Sequence, residues 1–119
     1  VFVPAAHIAG STVHANALYK ANVVKAWVAF SGAAGAIGNS YGVSSVTRVT
    51  TGTYTVAWQQ AFTTAHYAVM GMATYTAGGS GTIISIIGSP TASAITINTR
   101  EAGALVDPVD VRLTAIGVQ

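Results

Sequence analysis

The stretch Thr53-Tyr54-Thr55-Val56-Ala57-Trp58 sets Tyr54, Val56 and Trp58 on one side of an extended chain and Thr53, Thr55 and Ala57 on the other. Side chains alternate between faces only in a strand; a helix would turn Val56 away from Tyr54 and Trp58. The segment therefore predicts a half-buried strand. Working outward, Tyr67 to Tyr75 places Tyr67, Val69, Ala73 and Tyr75 on one face and Met70 and Met72 on the other. Ala94 to Thr99 and Val109 to Leu113 alternate in the same way. Thr82 to Ile87 is nearly continuous in apolar residues, which predicts a strand buried on both faces.

Turn chemistry separates these runs. Gly32 to Ser40 is rich in Gly and Ala, Thr51-Gly52 suits a tight turn, and Gly78-Gly79-Ser80-Gly81 suits a loop or hairpin connection. Gly88-Ser89-Pro90 closes one strand and Asp107-Pro108 opens the last. Val, Ile, Thr and Tyr are abundant, whereas Glu, Lys and Leu are scarce. The pattern predicts an all-β fold, an antiparallel β-sandwich of about seven strands over residues 25–119. Residues 1–24 lack alternation and read as a connector or subunit-contact segment, with a short helix admissible from Val13 to Lys25.

The chain has 119 residues, enough for one hydrophobic core. Half of them are apolar and only 7 % are charged, against about 25 % in an ordinary soluble domain. Such a composition excludes intrinsic disorder. Five scattered basic residues form no stripe for a phosphate backbone, so no nucleic-acid partner is expected. Residues 26–47 are uncharged, but their glycines and hydroxyl residues interrupt any apolar span, so membrane insertion is not expected either. No basic stretch precedes an apolar block at the start, and no secretory signal is read there. Between Arg48 and Arg100 there is no charged residue at all. So sparse a charge pattern is suited to a surface buried between subunits, which predicts an intertwined homo-oligomer, the alternative being a monomer whose surface is solvated by Thr and Ser.

Candidate chemistry is thin. Cysteine is absent, which excludes disulfides and thiol chemistry. No G-x-S-x-G nucleophile elbow and no phosphate-binding glycine loop is present. The acids Glu101, Asp107 and Asp110 lie within ten residues, with Asp107 and Asp110 read as strand-start and surface positions. His7, His14 and His66 are read as surface or interface residues, the alternative being a metal shared on a symmetry axis. The expectation is a non-enzyme with no cofactor and no metal.

Aromatic residues offer the better lead, because sugars are recognised by ring faces beside hydroxyl and amide groups. Trp27, Phe30, Tyr54, Trp58 and Tyr67 fall within strand patterns and read as core, with Trp58 buried near Trp27. Tyr75, Thr76 and Ser80 in one predicted loop, and Asn39 and Tyr41 in another, are the candidate ligand contacts. The alternative for Tyr41 and Tyr75 is core packing, and for Tyr75 also packing on a neighbouring subunit.

The order of segments resembles a known family. Lys25-Ala26-Trp27-Val28-Ala29-Phe30-Ser31-Gly32 precedes Asn39-Ser40-Tyr41-Gly42-Val43-Ser44-Ser45-Val46-Thr47. Gly52-Thr53-Tyr54-Thr55-Val56, Ala65-His66-Tyr67-Ala68-Val69 and Val109-Asp110-Val111-Arg112-Leu113 follow, with Gly117 beyond. The series resembles the C-terminal β-sandwich domains of bacteriophage tail fibres and related receptor-binding tail proteins, over about residues 25–118. It departs from them at Gly42, where the family has Asn-Val, and at Ala29 and Ser31, where Asn is more common. The resemblance implies a homotrimer in the virion, at a phage tail or other exterior appendage, contacting other virion proteins and a bacterial surface glycan or protein. The alternative is a structural virion component, such as a capsid decoration, head fibre or collar protein, without a receptor.

Overall fold

A computed structural model describes residues 23–75 and 82–119. The expected helix between Val13 and Lys25 falls mostly outside them, and its last residues, Val24 and Lys25, are strand. Among the described residues there are nine strands and no helix. They are Val24–Phe30 (β1), Ile37–Tyr41 (β2), Val43–Thr50 (β3), Thr53–Trp58 (β4), Ala68–Thr74 (β5), Ile83–Ile86 (β6), Ala94–Glu101 (β7), Ala104–Leu105 (β8) and Asp110–Ile116 (β9). Every pairing is antiparallel, in two sheets ordered β2-β1-β9-β5 and β3-β4-β7-β6, with β8 paired to β7. The two additional strands beyond the expected seven are short: β2, which occupies the second half of the predicted Gly/Ala-rich turn, and the two-residue β8.

Alternation builds the core. Ala26, Val28 and Phe30 of β1 and Val111, Leu113 and Ala115 of β9 face Tyr54, Val56 and Trp58 of β4 and Ile95 and Ile97 of β7. The inner faces of both sheets thus share one apolar cluster, an arrangement consistent with a β-sandwich. The chain changes sheets between β2 and β3 through Gly42 alone. Its φ is +70°, and a Cβ there would stand 2.4 Å from the Lys25 carbonyl oxygen, so a side chain is barred on both counts.

Both ends of the core are pinned by aromatic rings. At one end Trp58 meets Phe62 and Tyr67 edge-on, at centroid distances of 5.7 and 5.6 Å, while Phe62 and Tyr67 stack at 4.3 Å. The Tyr67 hydroxyl stands 2.8 Å from the Thr91 carbonyl and 3.0 Å from that of Ala94, tying this cluster to the second sheet. At the other end the Tyr54 ring packs on Phe30. Its hydroxyl oxygen lies 2.7 Å from Asp107 Oδ1 and 2.8 Å from the Gly32 carbonyl. Asp107 also accepts from Arg48 Nη2 at 2.7 Å and from the Gly52 N–H at 2.8 Å. Asp107 therefore joins the β3–β4 turn to the segment entering β9, and is far from the plain surface acid that its sequence context suggested.

Two further expectations are corrected. Trp27 is 38 % exposed and outside the core, because burial of Ala26, Val28 and Phe30 sends the residue between them to the opposite face. Thr82 to Ile87 does not form a strand buried on both faces: β6 is a sheet edge, with Ile83 and Ile86 exposed. An apolar run at an edge has the same sequence appearance as one at the centre.

Trp58→Ala empties the aromatic end of the core and should destabilise the fold by about 3–5 kcal/mol in urea titration. The Asp107 carboxyl is held down to about 2, chiefly by the Arg48 guanidinium against an opposing cost of partial burial, with the Gly52 N–H and the Tyr54 hydroxyl assisting. The unfolded chain, titrating near pH 3.9, takes up this proton before the folded chain does. This contribution is complete above about pH 4 and is lost as pH falls towards 2; after screening by solvent it amounts to about 1 kcal/mol. Asp107→Asn should remove this acid step from a stability-versus-pH curve.

Candidate functional site

The outer face of the first sheet carries the side chains that the core rejects. Register aligns them in rows across four strands. One row runs Tyr41, Trp27, Thr114, Met70; the next runs Asn39, Ala29, Arg112, Met72. Tyr41, Met70 and Met72 are 63 %, 57 % and 80 % exposed, so large apolar groups occupy much of this face. A sheet face normally presents polar residues to water; here Tyr41 with Trp27 and Met70 with Met72 are exposed on either side of Thr114 and Arg112.

Ala29 shapes the site. It lies between Asn39 and Arg112 in the second row, with Trp27 two residues along the same strand and face. Its methyl group leaves a floor between longer neighbours. The resulting open groove has a volume of about 510 Å³ and is lined by Trp27, Ala29, Asn39, Val109, Asp110 and Arg112 among others. A smaller hollow of about 230 Å³ lies on the other side of Arg112, against Met70, Met72 and Thr114. Arg112 Nε donates to Asp110 Oδ2 at 2.8 Å, which steadies the guanidinium at the rim while leaving its other hydrogens to donate outward. Asn39 Oδ1 accepts the Ser40 N–H at 2.9 Å, so the amide hydrogens remain to donate.

A half-exposed indole beside an amide, a carboxylate and a guanidinium suits a pyranose ring. The apolar C–H face of a sugar stacks on the indole while planar polar groups pair with its hydroxyls. Asp110 and Asp107 are each engaged with an arginine, so the two carboxylates serve ion pairs rather than each other. No group of three His, Cys, Asp or Glu residues able to hold a metal occurs among the described residues. His66 is exposed, whereas His7 and His14 lie outside the described residues.

The expected contacts divide. Asn39 and Tyr41 lie in β2, a strand rather than the loop predicted for them, and both face the groove side of the sheet. Tyr75 is half-buried just past β5, and Thr76 and Ser80 lie outside the described residues. Val109 links the two sets: it lines the groove, and its N–H donates to the Thr74 carbonyl at 2.8 Å and the Tyr75 carbonyl at 3.2 Å. Sequence reasoning missed Trp27 and Arg112 as members of the site. The signal for Trp27 was present in the alternation of Lys25 to Phe30, which could have placed the indole outside. Comparison with protein-family models, curated proteins and solved structures finds no match to this chain.

The two indoles should separate in fluorescence. In Trp58→Phe the remaining Trp27 should emit like a solvated indole and be quenched readily by acrylamide. In Trp27→Phe the remaining Trp58, 6 % exposed, should emit to the blue and resist quenching.

Proposed function

We propose that this chain is a non-catalytic virion protein, a trimeric domain of a bacteriophage tail fibre or tail tip that adheres to a glycan on the bacterial surface. The observation that carries the adhesion reading is the Ala29-floored groove, where Trp27 and Asn39 stand beside Arg112 and Asp110 on a rigid sheet. The resemblance to tail-fibre domains supports the setting. Its quoted segments fall on β1, on β2 and β3, on β4, at the start of β5 and on β9, and so cover more of the first sheet than of the second, where β6, β7 and β8 lie outside them. The near absence of charge and the exposed apolar residues of the outer face support assembly into an oligomer.

Recognition on this reading is by stacking and hydrogen bonding, with no bond made or broken. Trp27 and Tyr41 are cross-strand partners on one face, with Trp27 in the groove and Tyr41 at a neighbouring hollow beside Lys25 and Gln59. Strands hold the contacts in place, so little entropy is lost on binding.

The test is binding of the purified protein to bacterial lipopolysaccharides and capsular glycans immobilised on a sensor. A glycan should be bound, and Trp27→Ala should weaken it about tenfold or more, equivalent to about 1.4 kcal/mol. Tyr41→Ala should weaken it less, and neither variant should change the melting temperature by more than a few degrees. Binding that is indifferent to Trp27 removes the groove from the adhesion surface. Absence of glycan and cell binding, together with binding to particles that lack the protein, supports the structural virion role instead.

A further inference from the structure

The ion pair in the groove leaves part of each partner unused. Alternation along β9 turns Asp110 and Arg112 to the same outer face, with Val111 between them buried in the core. Arg112 Nε donates to Asp110 Oδ2 at 2.8 Å, and neither side chain has a further hydrogen bond among the described residues. The Nη groups of Arg112 therefore remain as donors and Asp110 Oδ1 as an acceptor, on side chains 73 % and 38 % exposed. Asn39 adds an amide donor, its own oxygen being taken by the Ser40 N–H. Charge in the groove sums to zero: Arg112 and Asp110 cancel, and the other lining residues are uncharged. Lys25, the one charged residue of β1, lines the neighbouring hollow instead, where its ammonium donates to the Gly117 carbonyl at 2.8 Å.

We infer that the groove selects a neutral hexose with adjacent free hydroxyls and rejects an acidic sugar. The inference rests on the glycan-binding reading and names the sugar class for that same site. A hydroxyl both donates and accepts, so two neighbouring hydroxyls can satisfy Asp110 Oδ1 and an Arg112 Nη together while the ring's C–H face lies on Trp27. A uronate carboxylate only accepts. To reach Arg112 it must come beside Asp110, whose repulsion offsets the attraction of the guanidinium. It would also leave Asp110 Oδ1 without a donor in place of the water it had. A phosphate on the glycan meets the same obstacle, and the ammonium of an amino sugar meets the converse one at Arg112. The pair thus discriminates by placing a like charge against either kind of ion.

The test uses the full protein on sensors carrying bacterial capsular glycans and lipopolysaccharides. Each bound polymer that contains uronates is measured again after carboxyl reduction, which turns them into hexoses without changing the linkages. Binding should survive the reduction. It should also change less than about threefold as ionic strength rises from about 0.15 to 0.5 M, because a groove without net charge leaves little for salt to screen. Asp110→Asn and Arg112→Gln should each weaken binding about tenfold or more, equivalent to about 1.4 kcal/mol. Both should keep the melting temperature, since so exposed a pair contributes little to stability. Binding that is lost on carboxyl reduction, that falls further with salt, or that is indifferent to both substitutions overturns this inference and leaves adhesion standing. A protein that binds none of these glycans overturns adhesion and this inference together.

Discussion

The carboxylate of Asp107 is the point on which the two sheets agree. It sits just before β9, the strand at the middle of the first sheet, yet its partners Arg48, Gly52 and Tyr54 all belong to the second. Gly32, which closes β1, is drawn into the same knot. Its carbonyl lies against the Tyr54 hydroxyl, its N–H donates to the Pro108 carbonyl at 2.9 Å, and a Cβ on it would meet that carbonyl oxygen at 2.3 Å. Burial raises the Tyr54 phenol first, and the neighbouring carboxylate raises it further, so the hydroxyl stays protonated as a donor. An inter-sheet contact made only of apolar groups tolerates sliding. A carboxylate with three kinds of donor fixes the height of one sheet against the other, and so fixes the strands that carry the outer-face residues.

Period-two alternation made most of this legible. Tyr54, Val56 and Trp58, or Ile95 and Ile97, can be assigned to the core by counting, and the structure buries all five. The exposed faces of Met70 and Met72 follow from the same count. Asp107 did not, because its role depends on three residues more than fifty positions upstream. Local sequence shows an acid before a proline and nothing of the arginine that folding brings to it. The edge position of β6 was equally hidden, since strand order is a property of pairing and not of composition. The candidate site was half legible. Asn39 and Tyr41 were chosen for their chemistry, while the groove beside them exists because Ala29 is small and Arg112 is next to it across a strand pair. A register is needed to see that.

Scarcity of charge links these features. With 7 % charged residues, the protein spends its described arginine–carboxylate pairs at two places: Arg48–Asp107 between sheets and Arg112–Asp110 on the outer face. They differ in kind. The first is partly shielded, with side chains 31 % and 25 % exposed, and acts on folding. The second is 73 % exposed at the arginine, where an ion pair contributes little to stability. Its effect is instead to hold a guanidinium upright on a face otherwise dominated by rings, methyls and thioethers.

That position gives Arg112 two neighbours of different character. On one side is the groove with Trp27 and Asn39, and on the other the hollow with Met70 and Met72. Arg112 thus stands where the polar groove meets the apolar hollow, and its pairing with Asp110 governs how far it reaches into either.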